Sequence, residues 1–297
     1  MPLRKIAPML GALWMVAAAS LIALPVRAID LLPFDYIPAP AGTTALLGYY
    51  LHGDRNQLHL DGTGEVANSG LDSDIFAARL THWEQFGNIP VAAQLILPFG
   101  SLSDGRIGGG RLNAPSGLFD PTLTLAFWPI SDPDNGRWLA VANYLTFPLG
   151  EHNPGRTLNV GDNRWRNDVQ VGFIQKLPND FTVDLAADLI VYGDNDEGGN
   201  GRQELTQDPT IETYAWLAYN FDPGTWVAAG YYGSFGGRQE LNGVRNGFKT
   251  EFHQVRVGFS SFVSKSLQLT GSIGHDVSVT GGFKQDLAFQ FRILKLF

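Results

Sequence analysis

The stretch that decides the fold is Phe181-Thr182-Val183-Asp184-Leu185-Ala186-Ala187-Asp188-Leu189-Ile190-Val191-Tyr192. Phe181, Val183, Leu185, Ala187, Leu189 and Val191 share one parity, and Thr182, Asp184, Ala186 and Asp188 the other. Successive side chains of a strand point to opposite faces, so this segment has one apolar face and one face with two carboxylates. Helical spacing does not sort these residues. A run of about 12 residues at about 3.3 Å each, tilted by about 40°, rises about 30 Å, enough to cross the roughly 25 Å apolar band of an outer membrane.

The same alternation recurs. Leu287, Phe289, Phe291, Ile293 and Phe297 oppose Asp286, Ala288, Gln290 and Arg292; Val91, Ala93, Leu95 and Leu97 oppose Ala92 and Gln94; Val169, Val171 and Phe173 oppose Asp168, Gln170 and Gly172. Twelve strands are expected, beginning near Thr43, Ser73, Ile89, Leu118, Trp138, Asp168, Phe181, Pro209, Trp226, Thr250, Leu267 and Phe283. The turns between them alternate strictly. Short ones fall at 87–88, 131–137, 178–180, 222–225 and 263–266, and long ones at 53–72, 100–117, 149–167, 193–208, 236–249 and 277–282. A soluble sandwich has no reason for that alternation. An outer-membrane barrel does, with short periplasmic turns, longer extracellular loops and an even strand number. The expected fold is therefore all-β, a transmembrane antiparallel up-and-down β-barrel over residues 43–297, closed because lipid tolerates no unpaired sheet edge.

Composition agrees once alternation is recognised. The chain has 297 residues, 44% hydrophobic, 12% aromatic and 17% charged, with a mean hydropathy of −0.05. Apolar and polar positions cancel in that average, and the charge is too low and the aromatic content too high for disorder. There is no cysteine, which excludes disulfides, thiolate metal sites and cysteine nucleophiles. Arg4 and Lys5 precede an apolar run from Ile6 to Leu24, followed by Val26-Arg27-Ala28, so residues 1–28 read as a signal peptide cleaved after Ala28; the alternative is an uncleaved anchor. Residues 29–42 are then expected to form a periplasmic N-terminal segment. The exported chain keeps 18 basic and 29 acidic residues, a formal charge of −11, which gives no footprint for nucleic acid. Trp83, Phe86, Trp128, Trp138, Phe181, Phe221, Trp226, Phe262 and Phe297 fall beside the short turns, and Tyr50, Phe99, Phe147, Trp165, Tyr192 and Phe235 near the long loops, as two membrane-interface girdles would.

Three stretches carry a family resemblance: Asp35-Tyr36-Ile37-Pro38-Ala39-Pro40-Ala41-Gly42-Thr43, Leu97-Pro98-Phe99-Gly100, and Gly117-Leu118-Phe119-Asp120-Pro121-Thr122-Leu123. They resemble the outer-membrane family associated with the MetA, or meta-cleavage, pathway of phenol degradation, across nearly the whole exported chain. The resemblance implies a barrel that transports aromatic or other hydrophobic compounds, and it brings no catalytic residues and no cofactor. The partners expected are the lipid bilayer, a small-molecule solute and the outer-membrane assembly machinery. Phe297, aromatic and last, reads as the assembly signal, with Lys295 departing from the apolar pattern and able to snorkel to headgroups.

The inward parity collects Arg79, Gln94, Asp120, Asp168, Lys176, Asp184, Asp188, Glu212, Tyr214, Arg256, Asp286, Gln290 and Arg292 as candidate pore-lining residues. Such a wall can orient solutes between acidic and basic patches, or its members can pair and fill the barrel. The glycine-rich loop 100–117, with Arg106, Arg111 and Asn113, lacks a phosphate-binding lysine and helix and is expected either to fold inward as a constriction or to remain in solvent. Residues 194–198 place oxygen ligands densely but lack an EF-hand register, so a flexible acidic loop is the simpler reading and no metal is expected. An outer-membrane hydrolase built on His275 and Ser278 is the enzymatic alternative, and a structural or adhesive barrel a further one. No Gly-x-Ser-x-Gly elbow and no His-x-x-x-His pair supports catalysis.

Overall fold

A computed structural model of the protein describes residues 30–198 and 202–297. The expected signal peptide, residues 1–28, lies outside the described residues. Twelve long strands form the wall: β1 Thr44–Asp54, β2 Gly70–Phe86, β3 Ile89–Ile107, β4 Thr122–Asp132, β5 Arg137–Thr146, β6 Arg166–Lys176, β7 Phe181–Tyr192, β8 Thr210–Asp222, β9 Thr225–Gly236, β10 Glu251–Ser264, β11 Leu267–Thr280 and β12 Leu287–Leu296. Each pairs antiparallel with its sequence neighbours, and β12 pairs with β1 from Leu296↔Ala45 to Leu287↔Asp54. The sheet closes on itself, as the barrel reading requires.

Two strands begin four residues later than their alternation suggests. The pattern runs on through Ser116–Leu118, which pairs with β3 at Phe99–Ser101, but Pro121 has no N–H to give the ladder and interrupts it before β4 begins. Gly282–Lys284, by contrast, leaves the wall to pair with Gln57–Leu60 of the first long loop.

Parity holds in the mid-height wall. Leu125 is 61% exposed on β4 and Phe259 51% on β10, facing where lipid would lie, while their neighbours Thr124 and Ser260 are fully buried inside. An exposed apolar surface of this extent suits hydrocarbon rather than water. The aromatic girdle needs correction. Trp83, Trp128, Trp138 and Trp226 have inward parity and face the lower lumen, the last three buried, because nearness to a turn does not decide which face a side chain takes. Tyr192 also turns inward, to Thr210. Outward aromatics at the short-turn rim include Phe86, Phe181, Tyr219, Phe221, Phe262 and Phe297. Lys295 donates to Ser266 Oγ at 2.6 Å in the last short turn.

Above the wall the long loops pack on one another. Leu58, Val66, Leu71, Leu102, Phe119, Leu158, Val160, Phe248 and Phe283, drawn from five of the six loops and their strand ends, form an apolar cluster. It caps the extracellular end.

Candidate transport lumen

The segment expected in the periplasm enters the barrel. From Asp30 to Ile37 it lies across the lumen before Pro38 and Pro40 lead it to the rim and into β1. Its own hydrogen bonds make it compact: Asp35 N to Leu32 O (3.3 Å), Ile37 N to Phe34 O (3.1 Å), and Leu32 N to the Asp35 carboxylate (3.0 Å). Phe34 sits at φ +70°, a conformation costly for a bulky residue and kept only where surroundings hold it. They do: Phe34 N donates to Asp184 Oδ2 at 2.8 Å and its ring packs 5.7 Å from that of Trp226.

The inward tryptophans grip the segment's backbone. Trp128 Nε1 donates to Tyr36 O at 2.8 Å, and Trp216 Nε1 to Leu31 O at 3.3 Å. Tyr36 reaches Gln170 and Tyr144 through its hydroxyl. Gly172 of β6 makes this possible, because a Cβ there would overlap the Tyr36 ring. Two ion pairs complete the attachment, Asp30–Arg256 at 2.7 Å and Asp35–Arg292 at 2.5 Å, with both arginine side chains about 5% exposed or less.

The two signs are unevenly distributed around the lumen, although Arg166 stands on the more acidic side and Asp276 on the more basic one. Asp168, Asp184, Asp188 and Glu212 occupy the β6–β8 wall; Arg79, Arg256 and Arg292 occupy the wall of β2, β10 and β12. Glu212 accepts hydrogen bonds from Tyr214 (2.9 Å), Tyr232 (2.7 Å) and Ser234 (3.2 Å), Asp188 accepts from Gln170 (2.7 Å), and Arg256 stacks 4.3 Å over Tyr232. The segment divides the remaining space. An upper chamber of about 170 Å³ lies beneath Phe248 and Phe283 with Asp30, Arg256 and Gln290 in its wall. A middle one of about 50 Å³ follows the acidic wall beside Tyr36. A lower one of about 810 Å³ faces the periplasmic turns.

Of the candidate pore-lining residues, Arg79, Gln94, Asp168, Asp184, Asp188, Glu212, Tyr214, Arg256, Gln290 and Arg292 are brought together in this lumen. Lys176 stands at the lower mouth, 5.7 Å from the Trp138 ring. Asp120 and Asp286 fall in loops beyond the strand ends. Asp286 pairs with Lys284. Asp120 joins loops, accepting from Gly150 N (2.8 Å) and Asp162 N (2.7 Å). In the loop 100–117, β3 continues as a hairpin into the extracellular cap, where Leu102 borders the upper chamber, Arg106 reaches the Asp104 carbonyl, Arg111 is exposed, and the Asn113 amide clasps the backbone N and O of Leu158. Asn195 of the acidic loop donates to Asp162 O, and among the described residues no group of three acidic, His or Cys side chains is placed to hold a metal. His275 lies 2.8 Å from the Asp286 carbonyl, and Ser278 faces His253 across the ladder.

Burial, with Asp162 adding repulsion, pushes the Asp120 carboxyl up to about 6. A raised carboxyl favours the fold when protonated, and that contribution is lost as pH rises through about 6. The difference in urea midpoint between wild type and Asp120→Asn is therefore expected to move against the wild type from pH 5 to pH 7. A pH-independent difference contradicts the assignment.

Sequence periodicity did not reveal the grip of Leu31, Phe34, Asp35 and Tyr36 on the wall. The available signals were a segment too apolar to stand in water and a glycine, Gly172, on the inward face.

The family model described as "Putative MetA-pathway of phenol degradation" matches residues 56–293. Among solved structures, an outer membrane channel from Pseudomonas putida F1 is 30% identical, with a TM-score of 0.85, covering 90% of this chain and 100% of that one. The translocator domain of the autotransporter NalP from Neisseria meningitidis is 12% identical with a TM-score of 0.50, covering 98% and 95%, a likeness of fold alone. No curated protein matches the chain.

Proposed function

We propose a function from one premise: the chain belongs to the MetA-pathway phenol-degradation family and is an outer-membrane β-barrel. It is a channel through which small hydrophobic or amphiphilic compounds diffuse without energy coupling, and the N-terminal segment controls the passage. The observation that carries this reading is the lumen itself. It consists of chambers separated by one short segment, which two ion pairs, a few hydrogen bonds and the packing of Leu31, Leu32 and Tyr36 against the lower wall hold in place. The 30% identical channel supports it.

In this reading the acidic wall and the arginine wall set a field across the path, so a polar end of a solute is oriented while its apolar body follows the aromatic lining. Phe297 serves the assembly machinery as a terminal signal. A channel, not a hydrolase, follows. Liposomes carrying the folded protein are expected to take up small aromatic solutes faster than empty liposomes, with uptake linear in outside concentration well below saturation. Equal uptake with and without protein removes the channel reading.

A further inference from the structure

We propose that the lower chamber is a binding site for monocarboxylates with an apolar body, aromatic or alkyl, and that Arg79 receives the carboxylate. This deepens the channel reading and rests on it. The chamber, about 810 Å³, has apolar walls from Phe34, Ile37, Leu47, Trp83, Leu294 and Leu296. Lys176, Asp180, Asn220 and Asp222 stand at its mouth beside the short turns, and a second polar group is set on the wall of β2, β1 and β12. Arg79, Thr81 and Trp83 alternate along the inward face of β2, and Arg292 stands two strands away, beyond Tyr49 of β1.

The charges there do not balance. Arg292 holds Asp35, while Arg79 has no carboxylate at ion-pair distance among the described residues and only a long contact, 3.5 Å, to the Tyr49 hydroxyl. Two guanidinium groups thus share one carboxylate. Arg79 Nε, Thr81 Oγ1, Trp83 Nε1 and Arg292 Nε are all buried without a hydrogen-bond partner. Unpaired donors around an unpaired cation, away from bulk water, favour an anion able to accept several hydrogen bonds at once. A carboxylate does so in the plane of a guanidinium. The remaining volume suits a ring or short chain. Arg79 also borders the middle chamber, so a carboxylate bound there stands at the step between the two compartments.

The test uses the folded full-length exported chain in detergent, titrated by calorimetry and by Trp fluorescence with benzoate and octanoate against the neutral benzamide and octanamide. The acids are expected to bind saturably, roughly tenfold or more tighter than the amides, the scale of a charge-assisted hydrogen bond. Arg79→Gln should abolish that preference by bringing acid binding down to the level of the amides. Arg79→Lys should retain part of it. If acids and amides bind wild type equally, or Arg79→Gln keeps the preference, the proposal falls, and the wild-type comparison decides even where Arg79→Gln does not fold. Binding needs no conduction. Selective binding without solute flux would overturn the channel reading alone, and flux without selective binding would overturn this one alone.

Discussion

Leu185→Arg is expected to prevent stable assembly of the barrel, while Gln290→Lys leaves assembly intact. Leu185 stands mid-way along β7, outward and 43% exposed, between Phe173 of β6 and Ala215 of β8. A guanidinium on that face near the bilayer centre costs about 2–4 kcal/mol, and the cost falls toward the interfaces. Phe289→Arg should therefore be milder, since Phe289 pairs with His52 close to the extracellular rim. Gln290 points into the lumen, where its amide has no hydrogen-bond partner and water or a neighbouring carboxylate can meet a cation. Asp184 is inward but not idle. Asp184→Asn keeps an oxygen acceptor for Phe34 N and should assemble normally. The readout is the heat-modifiable electrophoretic shift of outer-membrane fractions, with urea titration of barrels refolded into liposomes. Equal loss at Leu185 and Gln290 would contradict the wall described here.

Asp30→Asn combined with Asp35→Asn is expected to loosen the N-terminal segment while the barrel stays folded. Each substitution leaves a buried arginine without its ion pair, and breaking such a pair from one side costs about 3–5 kcal/mol. The wall cannot recover that energy with the segment in place, because Arg256 and Arg292 are nearly inaccessible beneath it. The hydrogen bonds from Trp128 and Trp216 to the segment's carbonyls remain, at about 1 kcal/mol each, as does the apolar burial of Leu31, Leu32 and Tyr36, so the segment opens transiently rather than leaving the lumen. The double variant should show a several-fold higher open probability in planar bilayers, and protease should reach residues 30–38 in the folded barrel. Wild-type gating with a protected segment would contradict the idea that these two pairs hold it.

The barrel was legible because its rule is local. Alternation from Phe181 to Tyr192 assigns faces two residues at a time, and turn lengths assign sides of the membrane. The rule failed where chemistry outside the ladder intervened. Pro121 ended a pattern that otherwise continued, and β3 carried its alternation past the membrane into the loop that holds Arg106 and Arg111. Most pore-lining candidates reached the lumen because parity alone places them. Their partners did not follow from parity. Asp30 meets Arg256 across 226 positions and Asp35 meets Arg292 across 257, distances at which no periodicity reports contact. The inward tryptophans show the same limit: a girdle and a clamp have similar sequence positions near the turns and differ only in the face they occupy.

Single-channel conductance of the exported chain, compared with a chain lacking residues 30–38, tests most directly whether the internal segment, rather than the loop cap above it, limits passage through the lumen. The wild type is expected to conduct little and intermittently, and the shortened chain to conduct more and steadily. Equal conductance in the two, or none in either with both barrels folded, would contradict it.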